Sequence, residues 1–522
     1  MTRIPNLLSL VLLGSLLHGV RSEDRLDPST ELAVTVTKVL KEEGLCDARY
    51  QHPRHKPWLA FSGEEIRELE ALMAHQRVGS DRLIEIADQG GSHAAREASF
   101  HLARVSEKGK DRILQHLPSL QHPGDPRKEV LSAFIELTER ETKHLGRMSP
   151  SDRSLWVREA VDGLEPSIKT KGRSVRRVAL APFAPFIYGW MGQHIFREYR
   201  GPKEPEFERH VVYLPDRENP DEISDASLWK PDRKEGASLL YRYAPILIQE
   251  SPTHPTDYPL ETDLVGRLVW DRNREGNLAV RVDTERPAVY GHYQTRTIDG
   301  EEVVQLVYNH WYPEHPPLKF ADAEAGKLEG LVLRITLDKK LRPAVYETIY
   351  ACGCYHRLYV SNRLEDMARG LYGAPEKGKT YSIEKPTSWK IDLVVLDTLP
   401  DPAEDERPLL YCWAGYHLPG EVRIGKAEDL ATEKQLEARP YSLLPASELE
   451  TAPWQGVPIG FFDSKGLVYG AGRPEGYLLS PTGIYFAGHP RQRGTHLIHF
   501  DQEDFDDPDL FTKRLRWPGL PG

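Results

Sequence analysis

"LRITLDKKLRPAVYETIYACGCYH" occupies residues 333–356, and its spacing decides how the second half of the chain is read. Branched and aromatic residues recur at alternate positions on both sides of a polar break that contains Asp338 and Pro343. That is the pattern of short strands with turn residues between them. Residues two apart on a strand share a face, so Cys352, Cys354 and His356 are expected to point the same way, with Gly353 allowing a bulge or tight bend between the thiols.

Working outward, the same period returns in "HVVYLP" (210–215), "SLLYRYAPILIQE" (238–250), "NLAVRVD" (277–283), "EVVQLVYNHWYP" (302–313), "LEGLVLRITLD" (328–338) and "WKIDLVVLD" (389–397). Few helical patterns intervene, "NRLEDMARGLYG" (362–373) being one. Residues 205–518 therefore read as a large, mainly antiparallel β domain.

The residues before it follow a different rule. "SGEEIRELEALMAHQR" (62–77) opens with Ser62 and Glu65 in capping-box spacing and places Ile66, Leu69, Leu72 and Met73 at helical intervals. "SHAAREASFHLARVSEKG" (92–109) and "KEVLSAFIELTERETKHLG" (128–146) behave alike, each expected to stop at its glycine. Residues 28–165 thus form a helical bundle or a set of helical hairpins, and the class of the whole chain is α+β. The histidines of this part, His75, His93 and His101, lack ligand spacing and read as helix-face residues. Residues 166–204 form an apolar linker in which Pro182 and Pro185 interrupt "SVRRVALAPFAPFIYGWMGQHIF" (174–196), a pattern of buried chain rather than a membrane hairpin.

At the N-terminus, residues 1–22 have a basic Arg3, an apolar run too short to span a bilayer, and small residues ahead of a cut near Ser22. The expectation is a secretory signal peptide, an exported periplasmic or extracellular protein, and no transmembrane anchor after its removal. With 522 residues the chain is long enough for two domains, and 68 basic against 79 acidic residues argue against a nucleic-acid partner.

An exported chain meets an oxidising compartment, so the opening stretch has three readings. It is half of a disulfide, with Cys412 a better partner than the strained link from Cys352 to Cys354. It is a zinc site, since thiolate and imidazole both ligate zinc. Or it holds a cysteine nucleophile activated by a histidine. "LLYCWAGYHLPG" (409–420) echoes it, with His417 after Gly415 and Tyr416. Near the end, His496 and His499 differ by an odd number and face opposite ways on a strand, so one of them is expected at a site. The acidic run "DQEDFDDPD" (501–509) lacks the spacing of a calcium loop, and Arg491 and Arg493 suit either an anionic ligand or a surface turn. "HWYPEHPP" (310–317) offers His310, Glu314 and His315, but its prolines and tryptophan suit a packed loop, which is the reading taken. Phosphate-loop, HExxH, GxSxG and haem-attachment motifs are missing from the sequence.

The segments "QLVYNHWYP", "LRITLDKKLRPAVYETIYACGCYH", "AGYH" and "RQRGTHLIHFDQEDFDDPDLF" resemble an uncharacterised family of large exported bacterial proteins, over roughly residues 240 to 515. The resemblance implies Cys352, Cys354, His356, His417 and His496 as matching positions, with Glu347 where that family has an aspartate. It departs at His310, where the family has an apolar residue, and it brings no activity with it.

Two functions follow. In one, a metal-dependent hydrolase, His356, His417 and His496, with Cys352 and Cys354, hold a zinc ion that activates water, and Glu347 is the general base. In the other, a disulfide-braced β domain binds a small molecule or envelope component without catalysis. Whether the chain is an enzyme is left open by the sequence.

Overall fold

The structure is a computed structural model of the 522-residue chain. It describes residues 27–43, 50–62, 80–102, 105–115, 126–166, 209–216, 233–252, 258–298, 301–318, 322–385, 395–432, 436–462, 467–479, 488–490, 497–498, 503–505 and 510–521, with 65, 66, 69 and 72; positions 275, 277, 323, 447, 455, 456 and 459 inside those ranges fall outside the description. Residues 1–22 and 174–196, on which the export and linker expectations rest, lie outside it, as does His75. The chain divides into two compact units, the change falling between Ser167 and Ile168.

The first unit is built of helices with short strands. Helix α1 (Pro28–Glu42) starts where the Asp27 carboxylate accepts the Thr30 N–H, and Pro28 sits in the first turn, where a missing N–H costs nothing. Strands β1 (Tyr50–Pro53) and β2 (Phe61–Ser62) follow. Helices α2 (Ser80–His101), α3 (Glu107–Leu114), α4 (Pro126–Arg147) and α5 (Pro150–Asp162) come next, and β3 (Leu164–Pro166) pairs back onto β1. Gly109 does not end a helix as expected. Ser106 caps α3 by accepting the Gly109 N–H, and Gly109 lies buried inside that helix, where a Cβ would strike Val105 and Glu43. His93 is buried against the Tyr50 ring, stacked at 4.4 Å, with a Glu65 oxygen 3.5 Å away.

The second unit is α+β, dominated by one sheet. Its elements are β4 (Arg209–Pro215), α6 (Arg233–Arg242), β5 (Ile246–Ser251), β6 (Arg267–Arg272), β7 (Leu278–Asp283), β8 (Ala288–Ile298), β9 (Glu301–His315), β10 (Gly326–Leu337), β11 (Pro343–Tyr350), β12 (Arg357–Ser361), α7 (Asn362–Tyr372), β13 (Val395–Leu399), β14 (Arg407–Cys412), β15 (Pro419–Gly425) and β16 (Leu436–Pro445). Residues 238–242 of the expected strand "SLLYRYAPILIQE" belong to α6; the strand begins only after Pro245, which cannot continue a helix.

Eleven strands form the sheet in the order β13-β12-β11-β10-β9-β8-β16-β4-β5-β14-β15, mostly antiparallel. The sheet curls until its ends meet. Arg357 of β12 donates to the Pro419 carbonyl at the start of β15 and lies over the Trp413 ring. Side chains from both ends share one interior, including Tyr359 from β12, Tyr312 from β9, Tyr213 from β4, Leu410 from β14 and Val422 from β15. The outer face is covered separately: Val307, Val332 and Ile349 pack under Phe505 and Leu510 from the C-terminal segment. This is one curled sheet rather than a sandwich of two. Among the described residues, no helix is long and apolar enough to cross a membrane.

Candidate metal centre

The β9–β10 hairpin places the site. Tyr308 and Tyr312 of β9 face the interior, so His310 between them faces it too. Across the hairpin Glu329 pairs with Tyr312 and Gly326 with His315, and Leu331 and Leu333 of β10 line the same interior. The crossover between the strands carries Asp322 and Glu324 back to the end of β9. A ring nitrogen of His315, an Asp322 oxygen and a Glu324 oxygen all lie within 4.8 Å of one another, and His315 Nε2 is 3.9 Å from Asp322 Oδ2.

Each donor is held from behind. His315 Nδ1 lies 2.7 Å from Glu329 Oε2. Burial raises the Glu329 pKa, but the His315 bond and the nearby Arg473 charge outweigh it and keep the group a carboxylate below its usual range. A carboxylate only accepts, so Nδ1 is the donor, and Nε2 faces the two remaining carboxylates. Burial lowers the His315 pKa, the Glu329 bond more than offsets this, and the net shift is upward. Arg473, buried, reaches within 3.8 Å of Glu329 Oε1 and donates to the carbonyls of Lys327 and Leu328. The Tyr355 hydroxyl donates to Glu324 Oε1 at 2.7 Å, and Asp322 accepts the N–H groups of Leu318 and Glu324, both at 3.2 Å.

Two properties separate this group from an ordinary acidic cluster. His315 is 2% exposed, and its Nε2 makes no hydrogen bond. A buried polar atom without a partner in the protein needs an explanation, such as a water or an ion; His356 Nδ1 and His417 Nδ1 share that property, but His315 Nε2 is the one beside two further donors. The charge is also unbalanced: three carboxylates, Asp322, Glu324 and Glu329, meet one guanidinium and the His315 imidazole, so negative charge stays in surplus. One imidazole and two carboxylates suit zinc, manganese or ferrous ions, and three protein donors leave positions open for water. The backbone here is strained as well. Leu328, Tyr355 and His417 have φ of 61°, 57° and 52°, in the left-handed region that such side chains rarely adopt.

The residues singled out in the sequence divide between the two faces of the sheet. Residues 351–356 form a turn rather than a strand, so alternation does not hold there. Gly353, at φ 89°, bends the chain, and Tyr350 N bonds the Cys354 carbonyl across the turn. Cys352 stays on the interior side, and Cys354 and Tyr355 pack beside it. His356 goes to the outer face. There its Nε2 lies 3.0 Å from Glu347 Oε1, and its ring meets Phe505 edge-on. Glu347 is fully buried, and both its oxygens are bound by Arg334, at 2.6 and 2.8 Å. Burial alone would raise the Glu347 pKa, but Arg334 and His356 bring it below the usual value. That is the environment of a fixed counter-charge, not of a base waiting for a proton.

His417 lies on the interior side in the 413–418 turn. Its Nε2 is 3.1 Å from Asp263 Oδ1, its ring stacks on Tyr312 at 3.9 Å, and Gly415 at φ 69° lets the turn pack against Tyr258 and Leu318. His356 and His417 are therefore on opposite sides of the sheet. His496, His499, Arg491 and Arg493 lie outside the described residues. Cys352, Cys354 and Cys412 are free thiols. The Cys352 thiol beside it, and then burial, push the Cys354 pKa well up; burial takes that of Cys412 to about 12. Among the described residues, the only group of three or more donors close enough for an ion is His315, Asp322 and Glu324. The sequence pattern alone places His315 in a packed loop and does not single out Asp322 and Glu324. The spacing from His315 to the "DAE" of residues 322–324 was the available signal, and it is weak without the hairpin that folds it up.

No protein-family model, curated protein or solved structure matches the chain.

Proposed function

We propose that the second unit is a divalent-metal-dependent hydrolase whose ion, zinc being the first candidate, is held by His315, Asp322 and Glu324. One observation carries this reading: the buried Nε2 of His315 makes no hydrogen bond and faces carboxylates in a site with surplus negative charge. A bound divalent ion would supply Lewis-acid activation of a water at its open positions. The chain's own groups have distinct parts in that chemistry. Glu329 fixes the tautomer and the angle of His315, as the outer carboxylate does in many histidine-ligated zinc sites. Tyr355 orients Glu324, and Arg473 keeps Glu329 ionised. Cys352 and Cys354 stand beside the centre rather than in it, while Glu347 and His356 serve the fold. Export to the periplasm or the outside belongs to the proposal and rests on residues 1–22.

The test is elemental analysis and calorimetric titration of the purified chain with zinc and manganese. Wild type is expected to bind one equivalent. His315→Ala is expected to lower affinity by about 100-fold or more, since an ion loses one of three protein ligands. Wild-type protein that binds no divalent ion, or a His315→Ala variant that binds as well as wild type, would overturn the assignment.

A further inference from the structure

The turn between β11 and β12 carries two thiols that the metal centre does not use. Cys352, buried, and Cys354, half-buried, are both free. They sit on either side of Gly353, whose φ of 89° bends the chain, and both pack on the interior side of the sheet. Two bonds close the bend: Gly353 N donates to the Tyr350 carbonyl at 2.8 Å, and Tyr350 N donates to the Cys354 carbonyl at 3.0 Å. Two residues span at most about 7 Å when extended, and a bend shortens this into the range of about 4.4–6.8 Å over which a disulfide joins two Cα atoms. The two thiols are within hydrogen-bonding reach of each other.

Both ends of the turn are anchored, so it can close on itself without disturbing the sheet. Before it, Ala351 N donates to the Gly330 carbonyl at 2.7 Å. After it, His356 is fixed to Glu347, and Arg357 donates to the Pro419 carbonyl. The backbone between these anchors already holds Tyr355 at φ 57°, in the left-handed region. A link between cysteines two residues apart is itself strained, which makes it a poor brace. The same strain suits it to exchange, because strained or exposed disulfides are the more oxidising and the more easily reduced. The Cys352 thiol, and then burial, push the Cys354 pKa well up, which slows attack by the thiolate without preventing closure.

We infer that Cys352 and Cys354 form a reversible dithiol–disulfide couple whose reaction partner is a small-molecule disulfide of the glutathione class. One protein thiolate attacks the S–S bond of the partner, forming a mixed disulfide and releasing one small thiol. The second protein thiolate attacks the protein sulfur of that mixed disulfide, forming the Cys352–Cys354 bond and releasing the other small thiol. Two protein thiols are oxidised, one small disulfide is reduced, and the two protons leave on the released thiols. The inference stands on the geometry of the turn and is independent of the metal assignment.

The test equilibrates the purified full-length chain, with a chelator present, in glutathione and glutathione disulfide at stepped ratios, then quenches it with acid and maps tryptic peptides by mass. Both thiols fall in one peptide, since no lysine or arginine lies between residues 352 and 354. That peptide is expected to become lighter by two hydrogens as the share of glutathione disulfide rises, to carry no glutathione, and to return to the dithiol in excess glutathione. Three outcomes would each overturn the inference. The first is a peptide that stays a dithiol, or keeps a glutathione adduct, at every ratio. The second is a link from either thiol to Cys46 or Cys412 instead. The third is a Cys352–Cys354 disulfide that excess glutathione fails to reduce, which is the behaviour of a structural brace.

Discussion

The outer-face cluster of Arg334, Glu347 and His356 and the hairpin-end cluster of His315, Asp322, Glu324 and Glu329 both join histidine to carboxylate inside the second unit, the first fully buried and the second partly open at Glu324, yet their charges are arranged differently. In the first, one guanidinium meets one carboxylate along two bonds, and the histidine adds a third. The Arg334 guanidinium also donates to the Phe505 carbonyl and lies 3.6 Å from the centre of that ring, so the cluster fastens the C-terminal segment to the sheet. Its charges cancel inside the protein. In the second cluster three carboxylates meet one guanidinium and one histidine, and His315 Nε2 lies 3.9 Å from Asp322 without a hydrogen bond. Charge balance, more than residue identity, separates a structural pair from a binding centre.

The comparison breaks most visibly if Glu347 is neutralised. Glu347→Gln leaves Arg334 buried without its counter-charge, and the second unit is expected to lose about 3–5 kcal/mol in urea unfolding. Its affinity for zinc should not change. Arg334→Met combined with Glu347→Leu should recover much of that loss, because removing both charges also removes the desolvation penalty. Equal loss of metal affinity in Glu347→Gln would show that the two clusters act as one site.

Glu329→Gln sharpens the other side. The fold should persist, while zinc affinity falls by about 10–100-fold, the usual effect of removing a carboxylate that orients a histidine ligand. Unchanged affinity, read by calorimetry, would remove Glu329 from the centre.

The smallest expected effect is that of acid. The folded pKa of Glu347 lies below its ordinary 4.5. The stability it contributes is therefore fully present above that unfolded value and is lost as pH falls through the folded one. Urea midpoints of the second unit measured from about pH 6 to about pH 3 should fall more steeply at the acid end in wild type than in the Arg334→Met/Glu347→Leu protein. Parallel pH profiles would mean that Glu347 titrates normally.

The change of period near residue 205 carried the fold class by itself. Helical spacing before it and alternation after it are local properties, and capping groups such as Asp27, Ser149 and Ser361 mark helix starts within a few residues of chain. Alternation also predicted that "YETIY" lies on one strand, because nothing between residues 346 and 350 interrupts it. It failed at Gly353, because a glycine is as compatible with a continued strand as with a turn. Only the β11–β12 pairing required the turn, and the turn sent His356 to the face opposite Cys352. The candidate site was less legible still. Whether His315 meets Asp322 and Glu324 depends on the β9–β10 pairing that brings the two ends of the hairpin together, and whether Glu347 is a base or a counter-charge depends on Arg334 across the β10–β11 pair. Local residue patterns determined the elements. Long-range pairing in the curled sheet decided which side chains share a site, because a strand's pattern records which residues share a face and not which neighbour that face will meet.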